Sequence, residues 1–333
     1  MSAIRIGILG CANVAQKHII PNILALPEYS LIAISSRDKA KATHFGSLYN
    51  CCAEASYESL IRRSDVDAIY IPLPVGLHHY WTKRSLNSGK HVLVEKSFTH
   101  DPKTAGELIK LAAQKKLVIM ENFMFLYHSQ QDYVKRQVDG GLIGNIRCFR
   151  SSFGFPPLTR DNIRYKQELG GGALLDAGTY TIRVSQLFLG RNLNVAAATL
   201  FIDPQLGVDI FGGAFLTNDS GLFSEIAFGF DNFYQCNYEI WGSLGKITVE
   251  RAFTAGPDFL PKIVIEHQGK KNVVQLPADN HAQGMLREFS QATKNQNKRI
   301  NFYDEIMDQA KIIHDVRTQA NRARKRANIP GFH

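Results

Sequence analysis

Short apolar runs separated by amphipathic stretches fill the first third of the chain. Residues 4–9 are an apolar run, a turn of small residues follows, and a helical pattern extends from 14 to about 26. The same reading predicts strands over 31–35, 67–71 and 91–95, with helices over 38–49 and 78–88 between them. Asp101 as a cap and Pro102 at the first helical position predict a helix over 101–115, before a strand over 117–121. Alternation of this kind predicts an α/β domain over residues 1–122, with a parallel sheet and right-handed crossovers.

Beyond residue 122 the pattern changes. Helical periodicity over 131–138 and 173–189 gives way to alternating segments at 211–216, 221–228, 235–241 and 246–250. A last helix is predicted over 303–327. The second domain, residues 123–333, is therefore expected to be α+β, built on a large open, mostly antiparallel sheet. A length of 333 residues agrees, because it exceeds the usual size of one core.

Composition narrows the picture. With 44% hydrophobic and 21% charged residues, the chain has ordinary globular character. Its net charge of +9 favours acidic small partners such as phosphorylated cofactors or sugar nucleotides. The densest basic run, Arg322, Arg324, Lys325 and Arg326, follows a helical pattern and reads as a solvated helix end, so no nucleic-acid partner is expected. Cys11, Cys51, Cys52, Cys148 and Cys236 form no CxxC pair and no zinc spacing, which points to reduced thiols in a cytoplasm and to no metal. No basic leader and no apolar run of membrane-spanning length is seen, so a soluble, unexported protein is expected.

The turn after the first strand carries the first chemistry. In Gly7-Ile8-Leu9-Gly10-Cys11-Ala12-Asn13-Val14-Ala15, the residues Gly10, Ala12 and Ala15 have the spacing G-x-G-x-x-G/A, with alanine in the middle position. Small residues there let the backbone approach a pyrophosphate, whose charge the helix N-terminus meets. Gly10, Ala12, Asn13 and Val14 are thus candidate cofactor residues. Ser35-Ser36-Arg37, at the end of the second strand, offers hydroxyls and a guanidinium suited to a ribose 2′-phosphate, so NADP(H) is preferred over NAD(H). Asp38, one residue later, is the alternative, as acceptor for a free 2′-hydroxyl.

Two further segments supply reactive groups. Lys96 ends the run Val92-Leu93-Val94-Glu95-Lys96-Ser97 at the carboxyl edge of a parallel sheet, where such folds hold ligands. The stretch Gly170-Gly171-Gly172-Ala173-Leu174-Leu175-Asp176-Ala177-Gly178-Thr179-Tyr180 reads as a flexible loop delivering Asp176 and Tyr180, four apart, to one helix face, with Arg183 continuing the stripe. A phenol so placed can protonate the alkoxide that forms when a nicotinamide hydride reaches a ketone, and an ammonium stabilises the same charge. The competing readings are Lys96 as a solvated strand end and Tyr180 as a core aromatic with a satisfied hydroxyl.

Taken in order, the fingerprint, Pro72-Leu73-Pro74 with His78, Glu95-Lys96 and the Asp176-Ala177-Gly178-Thr179-Tyr180 segment resemble the Gfo/Idh/MocA oxidoreductases over essentially the whole chain. Two further stretches, Glu121-Asn122-Phe123-Met124-Phe125-Leu126-Tyr127-His128-Ser129-Gln130 and Phe155-Pro156-Pro157 leading to Asp161-Asn162-Ile163-Arg164-Tyr165, resemble NDP-hexose 3-ketoreductases of deoxysugar biosynthesis. The resemblance implies a Rossmann domain followed by a substrate-binding and oligomerisation domain. It implies NADP(H) beside Pro72, Leu73, His78 and Glu95, with His78 in a capping or packing role rather than as an acid or base. Lys96 would lie against nicotinamide and substrate, Tyr180 would give the proton, and Asp176 would support them. Asn122, Phe155, Arg164 and Tyr165 would line the sugar pocket, with Arg164 suited to a phosphate or to an exposed loop.

The substrate so implied is a nucleotide-linked 3-keto-deoxyhexose, and the assembly a homodimer or homotetramer packed through the antiparallel sheet. A dihydrodiol or aldose 1-dehydrogenase, and an NADP-sensing regulatory protein, are the alternatives. Two departures stand out. Ser97 occupies the position where the family usually has proline, which leaves φ free and shifts the placing of Lys96 onto packing. Leu126 stands where many relatives outside the sugar-nucleotide branch have arginine, so their substrate contacts do not carry over.

Overall fold

The computed structural model describes residues 3–326, and the final residue of the helix predicted over 303–327 lies outside them. Two compact units are present: the chain up to Met124 together with Ala282–Met307, and Phe125–His281 together with the chain from Asp308.

The first unit contains six strands, β1 (Ile4–Leu9), β2 (Tyr29–Ser35), β3 (Cys52–Glu54), β4 (Ala68–Ile71), β5 (His91–Glu95) and β6 (Ile119–Asn122). They pair in parallel in the order β3-β2-β1-β4-β5-β6. The strand order reverses between β1 and β4, and the carboxyl ends of the strands at such a point form the usual ligand edge of the fold. All four residues of β4 are buried, as are Val92, Leu93 and Val94 of β5, because helices cover both faces of a parallel sheet. Each buried valine, leucine or isoleucine side chain among them contributes roughly 1.5–3 kcal/mol. β3 and the helix Tyr57–Ile61 escape the periodicity reading, since segments of three and five residues carry too few positions to show a period.

The second unit holds an eight-stranded sheet of β7 (Ile146–Gly154), β8 (Asn194–Ile202), β9 (Asp209–Thr217), β10 (Phe223–Gly229), β11 (Gln235–Gly242), β12 (Gly245–Val249), β13 (Lys262–His267) and β14 (Lys270–Gln275). Its order is β14-β13-β12-β11-β7-β10-β9-β8; every pairing is antiparallel except β7 with β10. On one face, buried Phe149 and Tyr238 stack on each other and against Phe188 of the helix Thr179–Leu189. The same helix is tied to the sheet by the Ser185 and Ser224 hydroxyls, 2.8 Å apart.

On the other face, Arg150 reaches Glu225 and Glu239, and exposed Trp241 lies beneath its guanidinium. Phe201 and Phe211 stack together while half-exposed there. Arg322, Arg324 and Lys325 are exposed on the last helix, as expected of a solvated end. That helix starts at Gln296 rather than near 303, because Gln296–Arg299 is polar and gives no apolar period. Among the described residues no helix is long and apolar enough to cross a membrane.

Candidate active site

In the first unit, the turn after β1 has the geometry that close approach of a pyrophosphate requires. Gly10 has φ +115, and a Cβ there would lie 2.9 Å from the Leu73 side chain, so only glycine fits. The helical segment begins at once, with a wide five-residue turn at Ala15–Ile19 that passes into the α-helix Ile20–Ala25. Wide turns of this type recur beside functional sites. Ala12 and Val14 are half-buried and Asn13 is exposed at this helix start.

At the end of β2, the buried Ser36 hydroxyl accepts the Asp38 N–H at 3.2 Å, while Arg37 is exposed. Asp38 caps the helix Lys39–Tyr49, accepting the Lys41 N–H at 3.1 Å. Its carboxylate thus has a structural function, which favours Ser36 and Arg37 as the ribose-side groups. The edge of the dinucleotide turn is completed by Tyr57, whose hydroxyl would stand 3.7 Å from a Cβ on Gly10. Burial raises the Tyr57 pKa and the Arg37 charge opposes that rise. Sequence reading missed Tyr57 because its helix is only five residues long. These groups fit a phosphorylated dinucleotide.

Lys96 follows β5 and is half-exposed. Its neighbours are fixed on every side. The Glu95 carboxylate accepts from the Tyr70 hydroxyl and from the Asn122 amide, each at 2.6 Å. Burial raises the Glu95 pKa, and these two donors with Lys96 counter it. The Lys96–Ser97 peptide is cis. Ser97 is buried with its carbonyl 2.9 Å from His78 Nδ1, and the Phe98 N–H donates to Glu121 at 2.7 Å. The His78 and Glu121 side chains thus hold the backbone that follows Lys96. His78 Nε2 lies 2.7 Å from the Leu73 carbonyl; a neutral ring donates through only one of its two nitrogens. Burial lowers the His78 pKa to about 4. Pro72 is buried and Leu73 half-buried on this loop. His78 and Asn122, expected beside cofactor and sugar respectively, direct their bonded polar atoms inward and support the loops around Lys96.

In the second unit, Asp176 lies in a five-residue wide turn, Leu174–Gly178, that runs into the helix Thr179–Leu189 with Tyr180 in its first turn. The side chains were expected on a regular α-helix; the wide turn instead precedes Tyr180. Its ring is enclosed by Phe125, Phe153 and Phe253, with centroids at 5.7, 5.2 and 5.5 Å. Gly178 is required beneath it, since a Cβ would meet the Phe228 ring at 2.9 Å.

Arg164 Nε donates to Asp176 Oδ2 at 2.5 Å, and the Asp176 charge, acting against burial, holds the guanidinium more firmly protonated than usual. Tyr180 also acts on it electrostatically. The terminal nitrogens of Arg164 make no hydrogen bond among the described residues. Buried Tyr165 accepts the Leu158 N–H at 3.0 Å, and Phe155 packs between Phe153 and Phe230. Arg183, expected on the same stripe, is buried and donates to Gln186. Of the three phenylalanines around Tyr180, Phe125 comes from a short helical turn, Met124–Tyr127, inside a stretch already singled out, whereas Phe153 of β7 and Phe253 of a loop lie where no pattern was predicted.

Residues 4–123 match the family model described as "Oxidoreductase family, NAD-binding Rossmann fold", and residues 132–248 match the "GFO/IDH/MocA C-terminal domain". The chain belongs to the Gfo/Idh/MocA oxidoreductase family. Within it, the chain is 39% identical over 287 residues to a dTDP-3,4-didehydro-2,6-dideoxy-α-D-glucose 3-reductase from Saccharopolyspora spinosa, covering 86% of each protein. A reductase of the same name from Actinomadura kijaniata is 38% identical over 95% of this chain and 96% of its own length. The solved structure of a 3-ketoreductase from Actinomadura kijaniata, in complex with NADP and TDP-benzene, superposes with a TM-score of 0.93 over 96% of this chain and 98% of that one. The Rossmann unit and the mostly antiparallel sheet expected from the sequence are both present.

Proposed function

We propose that this oxidoreductase uses NADPH to reduce the keto group of a nucleotide-linked deoxysugar, at the 3-position of a 2,6-dideoxyhexose. The observation that carries the reading is the match over nearly the whole chain to reductases of that class, joined to this chain's own Lys96, Asp176 and Tyr180. NADPH supplies the hydride. Lys96 stabilises the negative charge that grows on the carbonyl oxygen, and Tyr180 gives that oxygen its proton, so that the products are an alcohol and NADP⁺. Asp176, fixed by Arg164, holds the sugar hydroxyls, and the free terminal nitrogens of Arg164 suit an anionic group of the substrate. Ser36 and Arg37 receive the ribose 2′-phosphate.

An intact lysine and tyrosine argue against a purely sensory protein. A second copy of the chain covers the outer sheet face, where Phe201, Phe211 and Trp241 lie exposed beside an Arg150–Glu225–Glu239 ladder, giving a dimer or tetramer. Five free cysteines and a need for NADPH fit a cytoplasmic setting.

The test is steady-state NADPH oxidation with a TDP-linked 3-keto sugar, using wild type, Lys96→Met and Tyr180→Phe. Each variant is expected to lose about 10²–10⁴-fold in kcat while still binding NADPH. Activity of both variants within a few-fold of wild type would remove the pair from the chemistry.

A further inference from the structure

We propose that Asp209, the first residue of β9, is a positioning residue that holds the helix bearing Asp176 and Tyr180 by its N-terminus. The inference rests on the assignment of those two residues to the reaction. Their helical run starts after three glycines, and no side chain of its own caps it. Gly172 precedes it at φ +114, where a Cβ would lie 2.3 Å from Oδ1 of Asp209. Glycine thus leaves room for a carboxylate supplied by a different strand.

Asp209 Oδ2 accepts the Leu174 N–H at 2.6 Å, and the Ala173 N–H also acts on this carboxyl. The first N–H groups of a helix lack partners within it, and its dipole favours negative charge at that end. Asp209 is only 4% exposed; burial raises its pKa, while the two N–H groups and the Arg317 charge oppose the rise. A buried carboxyl with donors converging on it is built to hold something in place.

The same turn reaches the reactive groups by a second route. The Gly172 N–H donates to the Arg164 carbonyl at 2.9 Å, and the Arg164 side chain holds Asp176. Asp209 therefore fixes, through one turn of backbone, both the helix start under Asp176 and Tyr180 and the loop that brings Arg164 to Asp176. Without it the first turn and the loop are free to shift together.

The experiment compares Asp209→Asn and Asp209→Ala with wild type in the full chain, by amide hydrogen exchange read by mass spectrometry and by steady-state kinetics. In Asp209→Ala, amides 173–178 should exchange about fivefold faster or more, while those of 185–189 and of β1 keep wild-type rates. Its kcat should fall about tenfold with NADPH affinity within twofold. Asparagine keeps one acceptor oxygen and should fall between on both readouts, which also serves if the alanine variant does not fold. Wild-type exchange at 173–178 in either folded variant, or faster exchange with unchanged kcat, would overturn the proposal. Should wild type reduce no keto sugar, the reductase reading fails while the exchange result still decides whether Asp209 holds the turn.

Discussion

Arg164 shows how one residue acquires a role from its partner. In the sequence it is a basic residue in a loop, as suited to solvent as to a phosphate. In the fold, its Nε is bonded to Asp176 and a part-buried guanidinium faces the tyrosine side of the same turn. Replacing it with methionine removes this ion pair from the half-buried Asp176 carboxylate. Arg164→Met is expected to raise KM for the nucleotide sugar at least tenfold, with a smaller fall in kcat and unchanged NADPH binding, as measured by initial rates at saturating cofactor. An unchanged KM would show that Arg164 serves Asp176 alone or neither.

At the scale of elements, the wide turn at Leu174–Gly178 depends on small residues where it crosses Phe228. Gly178→Ala places a methyl 2.9–3.0 Å from three atoms of that ring. Overpacking of this kind costs about 1–3 kcal/mol, and a fall of several degrees in Tm, followed by circular dichroism, is the expected result; an unchanged Tm would mean that Phe228 yields freely. Much of the element structure was legible in the sequence. Five of the six strands of the first unit announce themselves, because a sheet buried on both faces makes a strand a continuous apolar run. The second sheet was half legible. β9 to β12 alternate, whereas β8 is rich in alanine and β14 has burial on almost none of its residues, so neither shows the period of two. Lys96, Asp176 and Tyr180 stand out in the sequence because they lie in motifs. Tyr57, Asp209, Phe153 and Phe253 do not, because only tertiary packing gives them their neighbours.

For the whole molecule, one buried and one half-buried histidine make folding sensitive to acid. His78 and His91 both have pKa values lowered to about 4 by burial. In the unfolded chain a histidine takes up its proton near pH 6.5. Below that pH the unfolded state binds more protons than the native one, so stability is full above about 6.5 and declines as pH falls toward 4. The two carbonyls facing His78 partly offset this by favouring its charged form. Denaturant titrations at pH 7.5, 6 and 5 should give falling free energies of unfolding, and His91→Gln should flatten the slope. A stability independent of pH between 7.5 and 5 would contradict the neutral state of both rings.

In the proposed reaction a hydride passes from NADPH to the keto carbon of a nucleotide-linked sugar. Incubating wild-type protein with a TDP-linked 3-keto-2,6-dideoxyhexose and each 4-deuterated NADPH epimer, followed by mass spectrometry of the sugar, tests it directly. One deuterium per product sugar, bound to the former carbonyl carbon, is expected from one epimer only. NADPH bound tightly with no deuterium reaching the sugar would contradict it.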